Sequence, residues 1–177
     1  TTDRKAFKIR VLKLLFPSQQ KKMTNIFDNL DPDLFRTYAF WCTVLVLKMF
    51  AVALQTSRMR FKKKAFINPE DIAQLNAKSK HKLEPKFNDP DVERVRRAHR
   101  NDLENVLPFC LVAFLYLLTG PHPLIAANLI RLAALARICH SVVYAFYPVP
   151  QPARFLSFAA CLLVTGYMAA QCVLFYF

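Results

Sequence analysis

Charged residues are distributed very unevenly along this chain of 177 residues. Residues 105–177 contain no Asp, Glu or Lys, and their only arginines are Arg131, Arg137 and Arg154. Residues 58–104, by contrast, carry 13 of the 25 basic residues and eight of the 12 acidic ones. A bilayer imposes this kind of segregation, because an unpaired charge in hydrocarbon costs at least about 2.5–3.5 kcal/mol. The sequence therefore predicts an integral membrane protein.

The composition excludes several other classes of protein. With 54% hydrophobic residues and 16 phenylalanines, the chain has far more apolar side chains than a disordered segment tolerates. Its two glycines and continuous apolar stretches do not fit the alternating strands and turns of a β-barrel. Helices are the remaining way to satisfy backbone polar groups in lipid, so we predict an all-α membrane protein.

Four transmembrane helices are expected, at about residues 34–56, 93–119, 124–146 and 153–177. The apolar part of the second is too short to cross a bilayer, so its helix must begin inside the charged stretch before it. We detect no internal repeat, and a single four-helix bundle is the simplest domain organisation.

The orientation follows from the Lys and Arg residues that flank the first predicted helix. Arg58, Arg60 and Lys62–Lys64 follow that helix directly, which predicts that the loop at residues 58–92 is cytosolic. The start of the second helix, the end of the third and the start of the fourth then share the cytosolic face of the membrane.

The first 22 residues do not fit this orientation, because they are basic and would lie on the other side. Met23 opens a plausible protein start, followed by acidic residues. Our hypothesis is that residues 1–22 are a non-native or removable extension, and that residues 23–177 form the working membrane domain.

The five cysteines all lie in apolar stretches, without a C-x-x-C pair or metal-ligand spacing nearby. We interpret them as small core residues and expect no metal. They are Cys42, Cys110, Cys139, Cys161 and Cys172.

A polar stripe is predicted where the second helix enters the membrane. At about 100° per residue, one arc of the helix holds Glu93, Arg97, Arg100, Asn101 and Glu104. His99 projects to nearly the opposite side, and Arg96 to the flank. A patch that contacts anionic lipid headgroups is the alternative, and we favour it for surface lysines such as Lys62–Lys64. Asn and Glu have no use in such a patch, which favours a ligand site for the stripe.

The third helix carries a second polar stripe, with Arg137, His140 and Tyr144 at spacings of three and four residues. Ionisable residues inside a span are functional candidates. The alternative is that they only pair with Glu104 or another carboxylate to hold the bundle together. Arg154 adds a cation at the start of the fourth helix, on the same membrane face. Lys48 is expected to snorkel or to pair within the bundle, without a chemical role.

Several arginines beside Asn, Glu and Tyr suit a small ligand that carries more than one carboxylate and an amine. Arginine binds carboxylates with two parallel hydrogen bonds, and Glu104 could take an ammonium group. Excess positive charge would also favour a thiolate over a thiol. The second substrate would be an apolar molecule that arrives from the lipid.

Three segments of the chain carry a resemblance to a known family. They are the run from Val92 to Asn105, Phe66 to Asp71 upstream, and Ala136 to His140 followed by Tyr144. The chain resembles the MAPEG superfamily, from about Asp33 to Phe177. Within it the similarity is to the microsomal glutathione S-transferases of the first type, with the microsomal prostaglandin E synthases as close kin.

The resemblance implies a glutathione site, a role for each matching position, and an assembly. The positions that hold glutathione match Arg60, Arg96, Arg97, His99, Arg100, Asn101, Glu104 and Tyr144, with Arg137 and His140 lining the same pocket. Arg154 matches the arginine proposed to stabilise the glutathione thiolate, and Asp71 matches a carboxylate implicated in the prostaglandin synthases. Members are homotrimers with sites between subunits, in the endoplasmic reticulum and outer mitochondrial membranes.

Some positions depart from the family patterns. Ile72 stands where the transferase has a reactive cysteine, so activation through that thiol should be absent. Phe155 and Phe158 stand where the prostaglandin synthase has Ser and Tyr, whereas Arg100 resembles that synthase more than the transferase.

The sequence therefore favours an enzyme that conjugates glutathione to lipophilic electrophiles, with reduction of lipid hydroperoxides as a second activity. The alternatives are a glutathione-dependent prostaglandin E synthase-like isomerase and a non-catalytic membrane scaffold. We expect contacts with membrane lipids but no nucleic-acid partner, because the basic residues lie beside the membrane and lack interleaved stacking aromatics.

Overall fold

The structure is a computed structural model that describes residues 26–78 and 82–177. Four of its helices are long and apolar enough to cross a membrane. They are α1 (Pro32–Lys63), α3 (Pro90–Leu118), α4 (Pro123–Ser141, continued by a π-helical turn at Val142–Phe146) and α5 (Ala153–Tyr176). A short helix, α2 (Pro69–Lys78), lies between α1 and α3, and a 3-10 turn at Ile26–Asn29 precedes α1. The described ranges contain helices and no strand, which confirms the predicted all-α class.

Aspartate and proline residues fix where α1 and α3 begin. The Asp31 carboxylate accepts the backbone N–H of Leu34 at 2.7 Å, and Pro32 opens α1. In the same way the Asp89 carboxylate accepts from the backbone of Asp91 and Val92, at 3.1 and 3.3 Å. Both caps satisfy N–H groups that the first helical turn leaves without a partner.

The first long helix extends further than predicted, to Lys63 instead of about residue 56. Arg60 therefore lies on a helix and not in a loop. Cations in the last turn of a helix are favoured by its dipole, and here they include Lys62 and Lys63. The helix ends at Lys64, which has a left-handed conformation with φ of 50°.

The four long helices pack so that α3 and α4 separate α1 from α5. The bundle core is formed by wholly buried side chains such as Leu45, Phe109, Ile130 and Met168. Many large apolar side chains point outward instead, among them Leu163, which is 72% exposed. An outer surface of this kind suits lipid or another subunit, and the chain is a multi-pass membrane protein.

The two ends of the charged segment between α1 and α3 contact each other. Phe66 and Ile72 are buried there, and the Lys86 backbone N–H donates to the Phe66 carbonyl at 3.0 Å. Lys86 Nζ lies 2.7 Å from an Asp89 carboxylate oxygen. This hydrogen bond, together with those from the backbone N–H groups at the start of α3, lowers the pKa of Asp89 below its usual range.

The five cysteines are free thiols with different environments. Cys161 and Cys172 are buried and Cys42 and Cys110 are half-buried, as expected for small core residues. The prediction is wrong for Cys139, which is exposed on the outer surface of α4.

The division of the chain at residue 23 stays a prediction, because residues 1–22 lie outside the part that the structure describes.

Candidate functional site

Two of the predicted site residues, Arg60 and Asp71, line one pocket beside the end of α1. The pocket has a volume of about 300 Å³ and is lined by Ser57, Arg60, Phe61, Phe66, Ile67, Asp71, Gln74 and Leu75. Asp71 accepts a hydrogen bond from the Asn68 side chain at 3.1 Å. The Arg60 Nε atom is buried without a partner among the described residues. The pocket therefore combines one cation and one carboxylate with aromatic walls.

The predicted stripe on α3 does not point in a single direction. Arg97, Arg100 and Glu104 are exposed, and none of them forms an ion pair within the described ranges. Glu93 instead pairs with Arg96, at 2.6 Å between carboxylate and guanidinium. Ion pairing within α3 thus removes Glu93 from the stripe and leaves two arginines and one glutamate on the surface.

His99 lies on a different side of α3 from the exposed arginines, as its helical phase predicts. Its Nδ1 atom is buried and has no partner in the part of the chain that the structure describes. His99 is therefore separated from the stripe, and its place in the site stays a prediction.

Asn101 turns inward and contacts Arg137 on α4. The Arg137 Nη2 atom lies 2.9 Å from the side-chain oxygen of Asn101 and 2.5 Å from a carboxylate oxygen of Asp102. Arg137 is completely buried. The carboxylate partner of Arg137 is thus Asp102. The sequence had suggested Glu104 or another carboxylate as the partner that would hold the bundle together.

Lys48 on α1 belongs to the same buried group. Its Nζ atom lies 2.6 Å from Asp102 and 3.0 Å from the Ser141 hydroxyl, which itself donates to Asp102 at 3.1 Å. The expectation that Lys48 is paired within the bundle is confirmed. Asp102 and Ser141 were missed, although two cations at membrane depth require a carboxylate partner and could have pointed to Asp102.

His140 connects the end of α4 to the start of α5. Its Nδ1 atom lies 3.1 Å from the Arg154 carbonyl oxygen and 3.3 Å from the Ser157 hydroxyl. A carbonyl oxygen can only accept a hydrogen bond. The Nδ1 atom therefore carries the proton and donates a hydrogen bond to the Arg154 carbonyl oxygen. The Nε2 atom is buried and without a partner among the described residues. Ser157 was also missed, since a lone serine in an apolar helix gives no functional signal.

The Arg154 side chain lies over the ring of Tyr144, with 4.6 Å between the guanidinium carbon and the ring centroid. Tyr144 also meets the His140 ring edge-on, at 5.6 Å between centroids. Stacking on an aromatic face holds a guanidinium without neutralising its charge. No ion pair to Arg154 occurs within residues 26–78 and 82–177, so its donors are available to an anion.

A single chain brings only part of the predicted site together. Arg137 meets Asn101, while His140, Tyr144 and Arg154 form a second contact group. The pocket with Arg60 and Asp71 is formed by α1 and the following segment, and α1 does not touch α5 within the described residues. The two predicted catalytic residues, Asp71 and Arg154, are therefore not assembled within one described chain.

Comparisons with known proteins identify the family of this chain. The chain matches the MAPEG family over residues 38–174. Microsomal glutathione S-transferase 1 of Homo sapiens is 40% identical over 136 residues, which cover 77% of this chain and 86% of that protein. Prostaglandin E synthase of Mus musculus is 47% identical over 102 residues, covering 58% of this chain and 63% of that protein. The synthase of Bos taurus is 41% identical over 130 residues, with 73% and 81% covered. The chain belongs to the MAPEG family.

Proposed function

We propose that this chain is a membrane-bound glutathione S-transferase, which joins the cysteinyl sulfur of glutathione to lipophilic electrophiles. Its 40% identity to the human microsomal glutathione S-transferase 1, over most of that protein, supports this activity. The observation that carries the proposal is the placement of Arg154, held over Tyr144 with no carboxylate to neutralise it among the described residues. Such a cation suits a negatively charged sulfur.

Glutathione carries two carboxylates and one ammonium group, which match the charges exposed on α3. Arg97 and Arg100 offer forked donors to the carboxylates, and Glu104 takes the ammonium group. The other proposed contacts are Arg60, Arg96, His99, Asn101, Arg137, His140 and Tyr144. Arg137 is fully buried in the chain, so it acts on the ligand through Asn101.

The proposed reaction begins with the loss of the thiol proton to solvent. Arg154 favours the thiolate by its charge, which lowers the pKa of the bound thiol. The sulfur then forms a bond to the electrophilic carbon, and the leaving group departs with its bonding electrons. Binding both reactants at one site supplies the orientation, and the apolar one enters from the bilayer.

The proposed site is completed by neighbouring copies in a homotrimer. Arg97, Arg100 and Glu104 are exposed on a helix that enters the membrane, where charged side chains need a partner or water. A second copy would cover them and bring Arg60 and Asp71 of one subunit toward Arg154 of another. We place this assembly in the endoplasmic reticulum membrane and also the outer mitochondrial membrane, with the site facing the cytosol.

A glutathione-dependent prostaglandin E synthase-like isomerase is the second candidate, favoured by 47% identity to the mouse prostaglandin E synthase over 102 residues. The aromatic residues Phe155 and Phe158 argue against this activity, because the pattern of the prostaglandin synthases has Ser and Tyr at these positions. Offering a prostaglandin endoperoxide and an aryl halide to the same preparation separates the two activities. Lipid hydroperoxide reduction is tested in parallel, since it consumes two glutathione molecules and yields their disulfide.

The experiment that tests the proposal is glutathione binding by the purified protein in detergent, measured by equilibrium dialysis. Saturable binding is expected, with loss of affinity when Arg97 and Arg100 are replaced by Ala. The matched control is Arg131→Ala, at an exposed arginine that donates a hydrogen bond to Asn128. A non-catalytic scaffold would bind no glutathione, and that result would refute the proposal.

A further inference from the structure

Three charged side chains are buried together in the middle of the bundle, although the proposed reaction uses none of them directly. Lys48 of α1, Asp102 of α3 and Arg137 of α4 meet at one carboxylate, which also accepts from Ser141. Asp102 and Arg137 are completely buried, and the Lys48 side chain is 10% exposed. We call these four residues the buried cluster. With two cations and one anion, it keeps one net positive charge.

The buried cluster determines the orientation of the neighbouring Asn101 side chain. A guanidinium has only donors, so the amide atom that faces Arg137 Nη2 must be the oxygen. The amide nitrogen of Asn101 therefore points away from Arg137. No described residue accepts a hydrogen bond from this nitrogen, and the side chain is only half-buried.

Asn101 and Asp102 are adjacent on α3, and the same Arg137 nitrogen bridges them. If the carboxylate were removed, the Asn101 oxygen would be the one remaining hydrogen-bond partner of this guanidinium among the described residues. Lys48 and Ser141 in turn hold the carboxylate from the α1 and α4 sides. A chain of charge-assisted hydrogen bonds thus runs from α1 to the amide of Asn101.

We propose that the buried cluster positions Asn101 so that it presents only amide N–H donors, which bind an acceptor oxygen of glutathione. The acceptor is a carboxylate or a peptide carbonyl. Asn101 is the ligand contact, whereas Asp102 and Arg137 are positioning residues. This inference rests on the proposed function. It adds that the ligand atom next to Asn101 must be a hydrogen-bond acceptor.

The variant Asn101→Asp separates the two functions of the amide. Its carboxylate retains an oxygen for Arg137, so the buried cluster keeps its contact and the protein should fold with an unchanged or higher Tm. The donors are lost, however, and a negative charge replaces them next to the ligand acceptor. The dissociation constant of glutathione should rise about tenfold or more, because hydrogen bonds to charged groups are among the strong ones.

The control is Asp91→Asn, which removes a carboxylate from the same helix at the outer ion pairs with Lys63 and Arg94. Glutathione binding by this variant should stay within about twofold of wild type, as expected for outer ion pairs of small energetic value. If Asn101→Asp binds glutathione as tightly as wild type at an intact Tm, the amide only supports Arg137 and the inference is overturned. If wild type itself binds no glutathione, the proposed function fails first.

A second measurement tests the positioning role of Asp102. In the double variant Lys48→Met with Asp102→Asn, Arg137 is the remaining charge, so the buried cluster keeps a net charge of one. The KM for glutathione should rise several-fold, while kcat at saturating glutathione stays near the wild-type value. Ser141→Ala should show a smaller rise. A fall in kcat with unchanged KM would contradict positioning through Asn101.

Discussion

Arg154 is held at both its side chain and its backbone by α4. Its guanidinium carbon lies 4.6 Å from the centre of the Tyr144 ring, and its carbonyl oxygen accepts a hydrogen bond from His140 at 3.1 Å. Two residues one helical turn apart therefore fix the start of α5 and the direction of its only cation. A thiolate-stabilising group needs this kind of fixed geometry, since the energy gained depends on donors that are already in place.

Replacement of Arg154 by Ala should reduce the kcat for conjugation of a model aryl halide by about 100-fold or more, the loss seen when one preorganised donor is removed. Glutathione affinity should change much less, because other arginines bind the carboxylates. Initial rates and equilibrium dialysis on the same preparation check both parts. Arg131→Ala is the matched control, since Arg131 is exposed and donates a hydrogen bond to Asn128. Equal kcat in wild type and Arg154→Ala would refute the role of this residue.

Changes at Tyr144 should separate the effect of the ring from that of the hydroxyl. Tyr144→Phe keeps the aromatic face under Arg154, so kcat should be retained while the glutathione dissociation constant rises about two- to tenfold for one lost hydrogen bond. Tyr144→Leu removes the ring face and should lower kcat as well. Steady-state kinetics of the two variants provide the comparison. A Phe variant as slow as the Leu variant would show that stacking is not what holds Arg154.

Removal of the Asp102 carboxylate should destabilise the protein strongly. Asp102→Ala leaves the buried cations of Lys48 and Arg137 without their anion, at an expected cost of about 3–5 kcal/mol. Thermal or denaturant unfolding in detergent measures the effect. The exposed pair of Asp33 and Arg36 offers the control, because Asp33→Ala should cost no more than about 1 kcal/mol. Similar losses in both variants would argue against a structural role for the buried cluster.

The junction between the charged loop and α3 should loosen in acid. The pKa of Asp89 is lowered in the folded protein, so its stabilising effect is complete above the unfolded value of about 3.9 and is lost as pH falls through the folded value. Hydrogen exchange of residues 82–92, corrected for intrinsic rates, should therefore increase below about pH 4. Asp89→Asn keeps an acceptor for the cap but cannot ionise, and its protection should not fall in that range. Equal protection of the wild-type segment above and below about pH 4 would contradict this assignment.

The sequence was sufficient for the architecture because lipid restricts where charges can lie. Residues after 104 contain no acidic side chain and can therefore span a membrane, where helices satisfy the backbone. Pro123 and Pro152 mark where two of these helices begin. The length of α1 and the short helix α2 could not be predicted in this way. The segment that holds α2 buries Phe66 and Ile72, and this burial has no local signal in the sequence.

The sequence predicted which face of a helix each polar side chain occupies, but not which residues it contacts. Helical phase placed Arg137, His140 and Tyr144 on one face. It could not show that Arg137 turns to α3 whereas His140 and Tyr144 contact Arg154. That outcome depends on the rotation of α3 and α4 about their axes. Asp102 escaped notice because it lies about 100° from the predicted stripe, on the side that the packing buries.

The most direct test of the proposed transferase activity is the rate at which purified wild-type protein conjugates an aryl halide at saturating glutathione. We expect a glutathione thioether, identified by mass spectrometry, that forms well above the uncatalysed rate and is largely lost in Arg154→Ala. If glutathione binds but no thioether forms with any electrophile of a small panel, while a prostaglandin endoperoxide is isomerised, the transferase proposal is contradicted.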